Sequence, residues 1–355
     1  MKKLLCLALC LVLSLFALVS CGEDEIGGDL DKYPPVDTEI PEVTLNLYII
    51  VGDGTVDNAK TTVSRMILQH TRTTYSTLLN VHYVSEAEYA EKTLAAVNST
   101  DANAANIVLV NSSELMYSLK DTGKLLALDS YLATKDFGKL NVSIPSVLMN
   151  AAKIDNALYA IPNNHVIGEY KYLVIDKEKV HQELKVPMNE LLSLNVDNYD
   201  AATLDAKIAE LNAKIGADAA LYVDSAVTGP YALKAELEKQ GKVCNVIGYP
   251  VATPDIAFAS AFAIVNKDEL SNTRAMQIVY ALNADAELRN LLQYGVSGTN
   301  YEYIDNNVVL TTSADNIYRM NLIYTGDIFL ARNCAEIGWT PAAMESGKSQ
   351  NVAAK

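Results

Sequence analysis

The sequence predicts an α/β fold in two lobes, each a mostly parallel sheet flanked by helices. Three observations carry that expectation. Short β-branched apolar runs alternate with helix-length runs at the spacing of right-handed crossovers. The chain has 355 residues, 50% of them hydrophobic, and single cores stop growing near roughly 250–300 residues. A proline-bounded step at 248–254 interrupts the alternation and reads as a crossover.

Residues 1–21 combine a basic start (Lys2, Lys3), an apolar run from Leu4 to Val19 and the ending Leu18-Val19-Ser20-Cys21. The run is shorter than the roughly 18–20 residues that a spanning helix needs, and the cysteine stands where a bacterial lipobox is cleaved. The expectation is a lipoprotein signal peptide with Cys21 as the lipidated residue. Two or more acyl chains, at about 0.8 kcal/mol per buried methylene, would hold the protein on a membrane without crossing it. The expected location is the outer face of the cytoplasmic membrane, and an anchored protein of this kind suits a monoderm bacterium. Residues 22–42 mix acids, glycines and prolines and read as a solvated spacer reaching at most roughly 70 Å. Loss of Lys2 and Lys3 would move the net charge from −15 to −17, which disfavours nucleic acid as a partner. Of five cysteines, Cys244 and Cys334 remain after the leader, either as a disulfide or as two buried thiols.

The first lobe opens with a strand over 43–51, the turn Gly52-Asp53-Gly54-Thr55 and a helix through Leu79. A strand over 80–84, a helix over 86–97, a strand over 106–110 and a short helix from Ser113 follow. In parallel sheets of this kind ligands sit beyond the carboxyl ends of the strands. A short strand then ends at Pro162, the polar step Asn163-Asn164-His165 follows, and a new strand covers 170–175. The second lobe holds a helix over 201–215, a strand over 219–223, a helix over 230–240 and a strand over 242–247. The return segment GYPVATPDIAFASAFAIVNKDELSNTRAMQIVYALNADAELRNLLQYGVSGTNYEY reads as a crossing, a strand near 262–265, two consecutive helices and a tyrosine-rich strand.

An apolar strand, the NK-x-E helix start and a helix closing on LLQYGVSGTNYEYID, together with YAIPN at the first crossing, resemble the family 1 extracellular solute-binding proteins of ABC importers. The resemblance implies the type II periplasmic-binding-protein-like fold. It divides the chain into lobe 1 at 43–162 and lobe 2 at 163–248, a return to lobe 1 at 249–310, and C-terminal helices at 311–355 that pack on lobe 2 or the cleft. It implies a monomeric, lipid-anchored receptor that closes by hinge bending around a sugar or oligosaccharide and presents it to ABC permease subunits, without a chemical step. The alternatives are a surface glycoside-binding hydrolase and an adhesin or scaffold of the same fold.

The chemistry-bearing residues fit a receptor. His70, His82, His165 and His181 show no metal spacing, and G-x-S-x-G and S-x-x-K are absent, so no metal, cofactor or catalytic residue is assigned. Carboxylate pairs have no fixed spacing, so the 43 acids leave a hydrolase open. Gly52-Asp53-Gly54 lacks the third glycine of a dinucleotide fingerprint, and Asp53 is instead a candidate for one cleft wall. Asn163, Asn164 and His165 can donate to and accept from a neutral ligand at the crossing. Tyr170 and Tyr231 follow the Gly168-Glu169 step and Pro230, and Tyr318, Asn321 and Tyr324 precede Trp339. Sugar faces stack on aromatic rings, and a single tryptophan among twenty tyrosines is few for a sugar cleft.

Overall fold

The computed structural model describes residues 41–168, 170–176, 220–224, 237–248 and 250–355, with the single positions 206, 209 and 213. The leader with Cys21, the spacer up to residue 40 and the Tyr231 candidate lie outside the described residues, as does most of the expected 201–215 helix.

The first sheet has the order β2-β1-β3-β10-β6. Its central strand β1 (Val43–Ile50) pairs in parallel with β2 (Thr77–Val84) and β3 (Ile107–Val110). Six consecutive residues of β1 are buried, as expected of a strand covered on both faces, where alternation gives way to an apolar run. Asn46 is the polar exception. It donates to Ala102 O (2.9 Å) and Ala104 O (3.0 Å) and accepts from Asn80 Nδ2 (3.3 Å), so its burial leaves no polar atom stranded.

Helix α1 (Asp57–Tyr75) buries Ala59, Val63, Ile67, Thr71 and Tyr75, a stripe of four-residue spacing against the sheet. It stops at Tyr75 and not at Leu79, because Ser76 turns left-handed (φ 47°) and its N–H caps Thr71 O. The β-branched Thr77 then starts β2, three residues earlier than the sequence suggests. Helix α2 (Glu86–Asn98) leads to β3, and α3 (Ser113–Asp121) follows, capped by Ser112. Three short helices, α4 (Asp129–Leu132), α5 (Leu140–Ser143) and α6 (Ser146–Ala151), precede the small hairpin β4 (Lys153–Ile154) and β5 (Ala157–Leu158). Strand β6 (Ala160–Pro162) completes the sheet edge.

Beyond the first crossing, β7 (Tyr170–Asp176), β8 (Ala220–Asp224) and β9 (Lys242–Gly248) form a second sheet of order β8-β7-β9. Both of its pairings are antiparallel, where helix–strand alternation predicts parallel neighbours. The reason is topological. Strand β7 leaves the crossing and runs away from it, whereas β9 runs back, so Lys171 and Gly248 face each other where the two crossings meet the sheet.

The chain returns through α7 (Pro254–Phe258) to β10 (Ala261–Ile264), fully buried between β3 and β6 and antiparallel to both. Helices α8 (Glu269–Leu282) and α9 (Ala286–Tyr294) follow, with N-caps Asp268 and Asp285. The hairpin β11 (Tyr301–Ile304) and β12 (Asn307–Leu310), three single-turn 3-10 helices and α10 (Pro341–Ala353) complete the described chain.

Helix α10 holds both crossings. Gln350 Nε2 donates to Ile167 O (2.9 Å) and Gly168 O (2.7 Å), and Asn351 Nδ2 donates to His165 O (2.9 Å). Lys355 exchanges backbone bonds with Pro250 and Ala252 on the other crossing, both at 2.9 Å. Among the described residues no helix is long and apolar enough to cross a membrane.

Candidate functional site

The strand directions gather one set of loops at one edge of the first sheet. Val84 lies beside Ile50, and Ala261 beside both Val110 and Pro162. The residues that follow β1, β2, β3 and β6, and those that precede β10, therefore share the carboxyl edge of the parallel strands, where such sheets bind ligands. They include Asp53, Glu86, Asn111, Ser113 and the step Asn163–His165.

The inner layer of this edge is buried amide. Asn163 is 0% exposed; its Nδ2 donates to Ser260 Oγ (2.8 Å) and Ile323 O (3.2 Å), and its Oδ1 accepts from Asn283 (3.3 Å). Asn164 Nδ2 donates to Ser143 O and Asp327 Oδ2, both at 3.1 Å. Burial pushes the Asp327 carboxyl up to about 6, against the opposing pull of the Asn164 amide and the Arg289 charge. His165 is buried with Nδ1 3.0 Å from Val166 O and Nε2 3.1 Å from Ile256 O. Burial lowers its basicity more than the two carbonyls raise it, and a neutral ring donates to one of the two. The hydrogen-bonding groups of this step thus join the crossing to α7, the 3-10 segment and α10.

Tyr318 is also 0% exposed and donates to Leu292 O (2.9 Å), with its hydroxyl 3.2 Å from that of Tyr83. Trp339 is 0% exposed, packed on Phe329 with ring centroids 5.9 Å apart. Asn321 is exposed and caps the 3-10 helix Leu322–Thr325 through Ile323 N (3.2 Å). Cys334 is a buried free thiol. Tyr170 lies at the start of β7, where the described structure gives its backbone pairing with Asp224.

The outer layer of the edge carries accessible polar and aromatic groups. Tyr324 is half-buried; burial and the Glu86 carboxylate raise its pKa, and a hydrogen bond to Asn111 opposes them. Asp53 is exposed on the turn after β1, whose backbone is fixed by Gly52 N donating to Arg319 O (3.0 Å). Ser113 Oγ donates to Asp255 Oδ1, joining the start of α3 to the start of α7 (2.5 Å). One helical turn on, Tyr117 is 46% exposed and sits edge-to-face on Phe258 with centroids 6.4 Å apart. Glu86, Asn111, Tyr117 and Asp255 were not singled out from the sequence. The available signal was their place in the first turns after a parallel strand, or at the start of the helix that follows the return crossing.

Among solved structures the chain is similar to the N-glycan transport solute binding protein of Streptococcus pneumoniae, with TM-score 0.58 and 12% identity over 88% of this chain and 83% of that one. Complexes of that protein with Man1GlcNAc and Man5GlcNAc match at TM-score 0.56 and 13% identity, covering 88% of this chain and 84% and 83% of theirs. No protein-family model matches the sequence, and no curated protein matches it. The fold is that of type II periplasmic-binding-protein-like solute-binding proteins.

A second polar cluster lies away from this edge. Asp285 Oδ1 caps α9, and its Oδ2 accepts from Tyr75 OH (2.9 Å) and meets His70 Nε2 (2.8 Å). Burial alone would lower the His70 pKa, but the Asp285 hydrogen bond and the charges of Asp285 and Glu287 outweigh it and raise it. A histidine raised in the folded state adds stability that is complete below its unfolded pKa and is lost as pH rises through the folded value. His70→Gln should therefore cost most stability near pH 6 and progressively less toward pH 8. Urea titrations across that range check this, and a cost independent of pH would contradict it.

Proposed function

We propose that the protein is a solute-binding receptor that takes up a sugar or oligosaccharide between two lobes and presents it to an ABC importer. The observation that carries this reading is the outer rim of the first sheet's carboxyl edge. There an exposed ring, Tyr117, stands beside the Ser113–Asp255 pair, and the Tyr324, Glu86 and Asn111 group lies on the same edge. An aromatic face offers the apolar surface that a pyranose C–H face needs, and the carboxylates and amides accept from and donate to its hydroxyls. The neighbouring protein's complexes with Man1GlcNAc and Man5GlcNAc support a glycan as the ligand class.

On this reading Asp53, Asn321 and Tyr324 face the ligand together with Glu86, Asn111, Tyr117 and Asp255. Asn163, Asn164, His165, Tyr318 and Trp339 hold the frame behind them. The lobes divide at the two crossings, with 43–162 and 249–310 in the first and 163–248 in the second. Affinity is the preference of the ligand for the closed form over the open one. A cleaved leader, lipid on Cys21 and the spacer at 22–42 would place the receptor at the outer face of the cytoplasmic membrane, as a monomer meeting its permease.

A thermal-shift screen against mono- and oligosaccharides, amino acids and nucleosides tests the ligand class. A ligand at one hundred times its Kd adds about 2.7 kcal/mol, which raises the Tm by several degrees. A shift with mannose- or N-acetylglucosamine-containing glycans supports the reading. Shifts confined to amino acids or nucleosides, or none with the folded protein, would count against it.

A further inference from the structure

A cavity of about 570 Å³ lies between α1 and α9, away from the carboxyl edge, within the size range of small-ligand sites. Its α1 wall carries Met66, Gln69 and His70, and its floor carries Leu291. Its lining carries two opposite charges, Glu287 on α9 and Arg332 after the 3-10 segment. Glu287, with its side chain 57% exposed, stands 3.6 Å from His70 Nδ1. The Arg332 guanidinium lies 4.6 Å from the Tyr303 ring centroid, with Nη1 3.4 Å from Tyr301 OH. The Tyr303 ring and the Tyr301 hydroxyl hold the guanidinium, whose remaining N–H groups can pair with a carboxylate.

The spacing of these two residues follows from the helix. Arg332 N donates to Asn290 Oδ1 (2.9 Å), and Tyr294 OH donates to Arg332 O (2.8 Å). The Arg332 backbone thus sits one to two turns beyond Glu287, about 5–10 Å along α9. An extended peptide gains about 3.3–3.6 Å per residue. The two charged residues therefore match the termini of a chain of two to four residues, with Met66 and Leu291 as apolar surface for its side chains and Gln69 for its amides.

We propose that this cavity is a second binding site, independent of the sugar cleft, for a short linear peptide whose free ammonium meets Glu287 and whose free carboxylate meets Arg332. Calorimetric titration of the full-length chain with trialanine tests it, alongside N-acetyl-trialanine and trialanine amide. Saturable binding at a Kd of about 1 mM or tighter is expected, weakened at least about tenfold by capping either end. Glu287→Gln should abolish discrimination at the amino end alone, and Arg332→Met at the carboxyl end alone, with the Tm little changed. The proposal is overturned if the folded protein does not bind trialanine saturably, or if capped and free peptides bind alike. It is equally overturned if neither substitution alters the discrimination, or if Tyr117→Ala abolishes peptide binding, which would place the peptide in the cleft.

Discussion

Gly168→Ala is expected to lower stability by about 2–4 kcal/mol and the Tm by roughly 5–10 °C. Two independent terms add. Gly168 has φ +59°, a left-handed conformation that costs other L-residues about 1–2 kcal/mol. A Cβ built there would meet Val251 N at 2.8 Å, Pro250 Cα at 3.1 Å and Val251 O at 3.1 Å. All three are backbone atoms of the other crossing, so no side-chain rotation relieves the contact, and the two crossings must separate. Gln350 bonds to Gly168 O, and Lys355 bonds to Pro250, so separation also pulls on the end of α10. Because these two crossings carry the chain between the proposed lobes, ligand affinity should fall with stability. Urea denaturation and ligand titration of the same variant check both effects. A stability change below about 0.5 kcal/mol would mean that the crossings are not packed as described.

How much of this was legible in the sequence differs by level. The order of elements in the first lobe could be read because β1, β3 and β10 are nearly uninterrupted apolar runs separated by helices with side-chain caps such as Ser112 and Asp268. The end of α1 could not, since Leu78 and Leu79 suit a helix or a strand and the stop is a left-handed serine. The site was harder for a physical reason. Asn163 and His165 are polar residues at a chain crossing, a pattern that fits a ligand contact as well as a buried joint. Their partners Ser260, Asn283, Ile323 and Ile256 lie far along the chain. Tyr318 and Tyr117 show the same ambiguity from opposite sides. Both are tyrosines among twenty, and only the packing separates the one at 0% exposure from the one at 46%.

Tyr117→Ala should weaken glycan binding about ten- to thirtyfold, a loss of about 1.4–2 kcal/mol, with little change in stability. The ring is 46% exposed, so its removal opens no enclosed core cavity, and it uncovers only the part of Phe258 that faces it. The edge-to-face contact at 6.4 Å fixes the ring before ligand arrives, so little side-chain entropy is lost on binding and the stacking energy appears in the affinity. Tyr117→Phe separates the face from the hydroxyl. If stacking on the ring is what binds the sugar, phenylalanine should stay within about threefold of the wild type while alanine does not. Comparable losses in both variants would assign the contact to the hydroxyl. An alanine variant that binds its glycan within about twofold of wild type would remove Tyr117 from the cleft altogether and leave the Tyr324, Asn111 and Glu86 group as the part of the rim to test next.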